Sequence, residues 1–300
     1  MRLAVPLLLL LTSVGTACRD AAPLAHDRAV VSARAHAPAS TGRSAPEPSS
    51  TALRVCADPN NLPFSNDRGE GFENALAELV AAELDMPVEY TWWPQRRGFI
   101  RATLRAGVCD VVMGVPHDFE LAATTRPYYR SGYVFVTRRD RHLRLRSLDD
   151  PRLRRLAIGL HVIGDDYASV PPGDALIARG IVDNLRGYSI YGDYARPNPP
   201  ADLIAAVERG EVDVAVAWGP LAGYFAANTG GGLEVAPVAP ARGVPLRFSI
   251  SMGVRRGDTQ LLGRLNEVLE RRAADVRALL DRFHVPRLSG GGRAARSDDL

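Results

Sequence analysis

The chain of 300 residues contains no lysine. That absence excludes chemistry centred on a primary ammonium, because phosphate-binding loops, Schiff bases and kinase sites all need one. All 37 basic residues are therefore arginine, and the net charge of +3 is too small to suggest a nucleic-acid partner. Aromatic and basic residues are not interleaved as in a reader of RNA or single strands. Long apolar runs are missing too. The one at residues 3–11 is too short to span a bilayer, and nowhere else do about 18 uncharged apolar residues follow one another. The six histidines show no metal-ligand spacing, no Gly-x-Ser-x-Gly elbow is present, and Gly230 to Gly232 is a glycine run without a phosphate motif. A catalytic set, a metal and a resident cofactor are all unexpected.

What is present begins with an export signal. Arg2 precedes the apolar run, and the small residues Gly15, Thr16 and Ala17 lead to Cys18. The run ends either in an imperfect lipobox that would lipidate Cys18, lacking the usual Leu, or in an ordinary small-x-small cleavage site. Residues 19–52 are rich in Ala, Pro, Ser and Arg without apolar periodicity and read as a linker. Residues 53–288 form the folded part, and 289–300 read as a loose tail.

The folded part opens β-α-β. A strand at residues 53–57 runs into Asp58-Pro59-Asn60-Asn61-Leu62-Pro63, whose prolines forbid its continuation. Leu76, Leu79, Val80 and Leu84 then share one helix face over residues 73–85, and a strand follows at 88–92. A helix over residues 96–106, with Phe99, Ile100 and Leu104 inward, stops at Gly107 before a strand at 109–114. The expected result is a doubly wound sheet with the Cys56 and Cys109 strands as neighbours. Exported to an oxidising compartment, and with Cys18 in the signal region, Cys56 and Cys109 form either a disulfide or two buried thiols. A bridge would close a loop of about 53 residues and contribute roughly 4 kcal/mol.

The segment from Leu104 to Met113 is echoed from Val207 to Val216: a helix end, a glycine stop, then an apolar strand led by Asp110 or Asp213. Two similar α/β lobes are implied. Lobe 1 is expected at residues 53–137 and 248–288, lobe 2 at 138–247, with strands at 133–137 and 248–254 crossing between them as hinges. A last helix over residues 260–283, broken near Arg272, is expected to pack on lobe 1.

Further motifs carry a resemblance. Arg54-Val-Cys-Ala-Asp-Pro-Asn-Asn-Leu-Pro-Phe-Ser65, Gly71-Phe-Glu-Asn74, Tyr90-Thr-Trp-Trp-Pro-Gln-Arg-Arg-Gly-Phe99, Cys109-Asp-Val-Val-Met-Gly-Val-Pro116 and Thr125-Arg-Pro-Tyr-Tyr-Arg-Ser-Gly-Tyr-Val-Phe-Val136 resemble the XoxJ/MoxJ type of periplasmic binding protein. The likeness is dense up to Val136. Beyond it stand Ile163-Gly-Asp-Asp-Tyr167 and Val212-Asp-Val-Ala-Val-Ala-Trp-Gly-Pro220. The resemblance implies the two-lobed type II periplasmic binding protein fold, a periplasmic location, and association with a quinoprotein methanol-type dehydrogenase that carries pyrroloquinoline quinone. It also implies kinship with solute receptors of ABC importers, so a small non-amino-acid ligand is the alternative. Amino-acid receptors usually carry an Arg for the α-carboxylate just past a Glu, where Leu121 follows Glu120 here, and an Asp for the ammonium, where Trp218 stands. Losing both partners disfavours an amino acid.

Candidate cleft residues follow from the same pattern, since ligands of open α/β sheets bind at the carboxyl ends of strands. Asp58, Asn60, Asn61 and Phe64 follow the first strand, unless the polar ones merely close turns. Trp92, Trp93, Arg96 and Arg97 offer a polar-aromatic wall, with core packing and surface ion pairs as the plainer alternative. Pro116, Tyr128, Tyr129, Tyr133, Asp165 and Trp218 complete the set, unless the tyrosines only pack beside the hinge. With the clamp gone the cleft is expected to be wide and apolar, suited to a protein segment. The arginines of residues 138–155 are either a solvated face or a docking surface for an acidic partner.

Overall fold

The computed structural model describes residues 51–163, 170–190 and 194–288. Cys18 and the signal segment, the linker to residue 50, Asp165 and the tail from residue 289 lie outside the described residues. Among the described residues no helix is long and apolar enough to cross a membrane.

The first half starts with β1 (Leu53–Ala57), followed by the hairpin β2 (Asn60–Asn61) and β3 (Ser65–Asn66). Helix α1 (Phe72–Glu83) begins where Asn74 Oδ1 accepts the N–H groups of Gly71 (3.1 Å) and Asn66 (3.0 Å). Two donors that the helix cannot satisfy itself are thereby paired. Phe72, Leu76 and Val80 recur every four residues and are buried, each contributing about 1.5–3 kcal/mol. Strand β4 (Val88–Trp92), the single turn α2 (Phe99–Ala102) and β5 (Val111–Pro116) follow, and β4, β1 and β5 are parallel neighbours in that order.

The helix expected over residues 96–106 is corrected to four residues. Gly98 enters it at φ 91°, and Thr103 Oγ1 turns back onto the Phe99 carbonyl (2.7 Å) with its own backbone out of the helical region. Arg105 N–H then reaches the carbonyl of Ile100, five residues back (2.9 Å), which widens the coil. Phe99, Ile100 and Leu104 are nevertheless buried, so the apolar spacing found the right side chains and the wrong backbone.

A short β6 (Ala123–Thr124) leads to β7 (Tyr129–Arg138). The second half comprises β8 (Ile158–Val162), α3 (Pro171–Ala178), β9 (Leu185–Ser189), α4 (Asp202–Arg209), β10 (Val214–Trp218), α5 (Gly219–Ala227) and β11 (Leu233–Pro237). Here β10, β8 and β9 are parallel. Val214 and Val216 face one apolar cluster while Ala215 and Ala217 face another. A strand buried on both faces reads as an unbroken apolar run, as this one does.

Strand β12 (Arg247–Val254) returns antiparallel between β5 and β7. Residues 129–132 of β7 pair with β12, and residues 133–138 pair with β10 and β11. The path β4-β1-β5-β12-β7-β10-β8-β9 is thus one hydrogen-bonded series with two α/β lobes on it. Helices α6 (Thr259–Arg271) and α7 (Ala273–Arg282) break at Arg272, as the sequence suggests, and join the core of α1. Gly223 of α5 lies so close to the His284 carbonyl that any Cβ there would collide. Glycine is what lets the chain end brace the second lobe, where Ser131 Oγ also donates to the Pro286 carbonyl (2.6 Å).

The internal echo has a physical basis. Gly107 and Gly210 both take positive φ, 76° and 74°. Asp110 N–H then donates to Arg54 O (2.7 Å) and Asp213 N–H to Ala157 O (2.9 Å), so each aspartate starts a strand against its neighbour. Arg54 and Arg255 both pair with the Asp110 carboxylate, at 2.6 and 2.9 Å, and hold it below the usual carboxylate range against the opposing effect of burial.

Cys56 and Cys109 are disulfide-bonded, with Cα atoms 5.5 Å apart and 53 residues between them in sequence. Alkylation without reduction should leave both unlabelled in an intact-mass measurement. The double variant Cys56→Ser/Cys109→Ser should lose about 4 kcal/mol in denaturant unfolding. Labelling of both cysteines in the native protein would contradict the bridge.

Candidate functional site

The carboxyl ends of β1 and β5 in one lobe and of β8, β9 and β10 in the other converge on a cavity of about 210 Å³. It lies below the ~300–1,000 Å³ of sites for drug-sized ligands. Phe64, Pro116, Tyr133 and Trp218 line it, together with Asn61 and Gln95. The Trp218 ring sits edge-on between Tyr133 (5.6 Å) and Phe248 (5.8 Å).

Asp58 is 1% exposed and does not line the cavity. Its Oδ1 accepts Asn60 N–H (2.8 Å), and its Oδ2 accepts Gln95 N–H (2.7 Å) and the hydroxyl of Tyr194 (2.9 Å) from the other lobe. Asn60 makes the second cross-lobe link: Nδ2 donates to Arg196 O (2.8 Å) and Oδ1 accepts Asn198 N–H (3.0 Å). These bonds close the cleft. The expected wide opening is corrected accordingly: these bonds draw the two lobes together beside the 58–61 loop and leave a pocket of about 210 Å³ that stays open to one side.

Other expected wall residues are placed differently. Trp92 stacks on Tyr90 (4.5 Å, 14° between planes) and packs against the lobe core, away from the cavity. Trp93 is 44% exposed, its N–H on Ala57 O (2.9 Å). Arg96 and Arg97 are exposed and line no part of the cavity. Tyr128 points its hydroxyl at the Met113 carbonyl (2.8 Å), and its neighbour Tyr129 lines the cavity instead. Leu121 is exposed and outside it. In residues 138–155, Arg138 pairs with Asp140, Arg141 with Asp213 and Arg152 with Asp150, while Arg139 and Arg154 donate to the carbonyls of Gly231 and Arg179. Much of that expected docking charge is engaged within the fold.

The residue that sequence reasoning passed over is Glu73. It sits in the first turn of α1, and its carboxylate lies against the bare backbone of Gly114, where any Cβ would collide with Oε1. It lines the cavity, and among the described residues no hydrogen bond or ion pair reaches its carboxylate. Its residual surface faces the cavity, and burial pushes its pKa up to about 8 from the usual 4.5. Tyr128 and Tyr129 are raised well above the ordinary tyrosine value by burial and by Glu73, and Tyr133 is raised by burial, so all three stay neutral beside it. Asn61 donates Nδ2 to Gln95 Oε1 (3.0 Å) and keeps Oδ1 buried and unpartnered. The motif Gly71-Phe-Glu-Asn74 carried the signal, an acidic residue in the first turn of a helix whose start follows the cleft loop.

Comparison with known proteins agrees with this geometry. The family model of bacterial extracellular solute-binding proteins, family 3, matches residues 53–284. The protein MoxJ of Methylorubrum extorquens AM1 is 32% identical over 257 residues, covering 81% of this chain and 83% of that one. MoxJ of Paracoccus denitrificans is 29% identical over 250 residues, 79% of this chain and 90% of that one. The crystal structure of the periplasmic binding protein XoxJ from Methylobacterium extorquens AM1 is similar at a TM-score of 0.65 and 36% identity, over 79% of this chain and all of the other.

The Glu73 environment has a measurable consequence. With the folded pKa above the unfolded one, ionisation penalises only the native state. The penalty is absent below about pH 4.5, grows as pH rises and is complete above about pH 8. Glu73→Gln should therefore match wild type in stability near pH 4 and exceed it by on the order of 1–3 kcal/mol at pH 8.5. Denaturant unfolding at both pH values checks this, and a gap independent of pH would contradict it.

Proposed function

The chain belongs to family 3 of the bacterial extracellular solute-binding proteins, and from that premise we propose that it is a periplasmic accessory or maturation partner of a PQQ-dependent methanol-type dehydrogenase. The observation that carries the reading is the loss of the amino-acid clamp. Leu121 lies outside the cavity and Trp218 is packed between Tyr133 and Phe248, at the places where the resemblance implies an Arg and an Asp in amino-acid receptors. A zwitterion would be desolvated without partners for its charges, at a cost of several kcal/mol. The likeness to MoxJ and XoxJ adds the dehydrogenase association that the resemblance implies.

Docking is assigned to the outer surface around the closed mouth. Trp93 (44% exposed) follows the end of β4, and Tyr194 (40% exposed) reaches Asp58 from the opposite lobe. Both approach the 57–58 turn, so closure brings an aromatic from each lobe to one rim. Exposed Trp and Tyr are the residue types that dominate protein interfaces. A second reading, a solute receptor of an ABC importer for a small non-amino-acid ligand, is favoured by the enclosed Glu73 cavity.

Interferometry of the mature protein against its organism's own dehydrogenase, apo and cofactor-loaded, tests the reading. Binding is expected at concentrations on the order of 10 µM or below, weakened about tenfold or more by Trp93→Ala with Tyr194→Ala. The common amino acids should give no thermal shift. No complex with either form of the dehydrogenase would overturn the accessory role.

A further inference from the structure

We propose that the closed cleft is a binding site for a small organic ammonium ion without a carboxylate, paired with Glu73 and enclosed by the rings of Trp218, Tyr133 and Phe64. The proposal deepens the solute-receptor reading and is independent of the dehydrogenase reading. Absence of cation binding defeats the one, and absence of a protein complex defeats the other.

Glu73 is the ionisable carboxyl among the described lining residues, and no described basic side chain lines the cavity with it. Among the described residues its oxygens have no hydrogen-bond or ion-pair partner, and the buried Oδ1 of Asn61 has none either. The site therefore asks for a positive charge and for hydrogen-bond donors, and an ammonium supplies both.

Other cations fit less well. A hard metal ion takes six to eight oxygen ligands, and among the described residues no three His, Cys, Asp or Glu side chains converge to hold one. Apart from Asn61, Gln95 and the tyrosine hydroxyls the described wall is apolar, including Val115, Ile190, Leu221 and Ile250. Such a wall suits the carbon body of an amine, and the rings add cation–π attraction where the charge is desolvated. A carboxylate on the ligand would meet Glu73 with no arginine among the described lining residues to offset it, so the same wall disfavours amino acids. The volume of about 210 Å³ limits the ligand to a small molecule.

Gly114 is a condition of the site. Because it lacks a Cβ, the Glu73 carboxylate lies directly over β5 at the cavity wall. Ligand charge would also favour the ionised carboxylate, so affinity should rise between pH 6 and pH 9. Tyr90, Tyr128, Tyr129 and Tyr133 surround the group and are all raised, so none of them competes in that window.

The test is calorimetric titration of the mature protein at pH 8.5 with butylammonium, benzylammonium and choline. Each is set against a neutral or zwitterionic counterpart: butanol for butylammonium, benzyl alcohol and phenylalanine for benzylammonium, and 3,3-dimethyl-1-butanol for choline. At least one cation should bind with Kd below about 1 mM, at least tenfold tighter than its counterparts. Glu73→Gln, which keeps the shape and removes the charge, should weaken it tenfold or more, and Gly114→Ala should weaken it as well by displacing the carboxylate. Thermal melts of both variants establish that they are folded. Cations binding no better than neutral counterparts, or binding unchanged in folded Glu73→Gln, would overturn the proposal.

Discussion

The buried carboxylate of Asp58 is the junction on which the arrangement of the cleft depends. It receives Asn60 N–H, Gln95 N–H and the Tyr194 hydroxyl, donors from its own loop, from the segment after β4 and from the other lobe. Hydrogen bonds to a charged group contribute about 1.5–3 kcal/mol each, and a buried carboxylate left without them is costly. One side chain therefore fixes the loop after β1, the segment that precedes α2 and the distance between the lobes. Asn60 reinforces the closure through Arg196 and Asn198, while β7, β12 and the 284–288 segment connect the lobes behind the cavity.

Glu73 shows the opposite condition a short way along the chain. Asp58 has its acceptors filled by the protein, and Glu73 lies against Gly114 with none filled among the described residues. The first residue organises the fold, and the second leaves chemical capacity unspent. The closed mouth then presents Trp93 and Tyr194 outward together.

Much of the fold was legible in the sequence because it follows from periodicity and punctuation. Phe72, Leu76 and Val80 mark the buried face of α1, Val214 to Ala217 a doubly covered strand, and Gly107 and Gly210 the stops before matching strands. The break at Arg272 and the two crossing strands were readable in the same way. The site was legible only in part. Asn61, Phe64, Pro116, Tyr133 and Trp218 line the cavity, whereas Asp58, Asn60, Trp92, Trp93, Arg97 and Tyr128 do not. For the tyrosines the reason is one-residue parity: successive side chains of an extended chain face opposite ways, so Tyr129 lines the cavity and Tyr128 does not. Asp58, Asn60 and Tyr194 form links between segments about 136 residues apart, and local sequence does not encode such pairings. Glu73 was hidden for another reason. An acidic residue in a first helical turn is ordinary, and only the tertiary approach of Gly114 sets it at the cavity wall, half-buried and without a partner among the described residues.

The most direct measurement of the account is the distance between the lobes in solution, by pulsed electron paramagnetic resonance with spin labels at Glu78 on α1 and Ile177 on α3, both exposed. The account expects a single narrow distribution in the unliganded protein and a broader one shifted to longer distance in Tyr194→Phe, which removes only the hydroxyl that spans to Asp58. Identical distributions in the two proteins, or a broad one in the wild type, would contradict the claim that Asp58 holds the cleft closed.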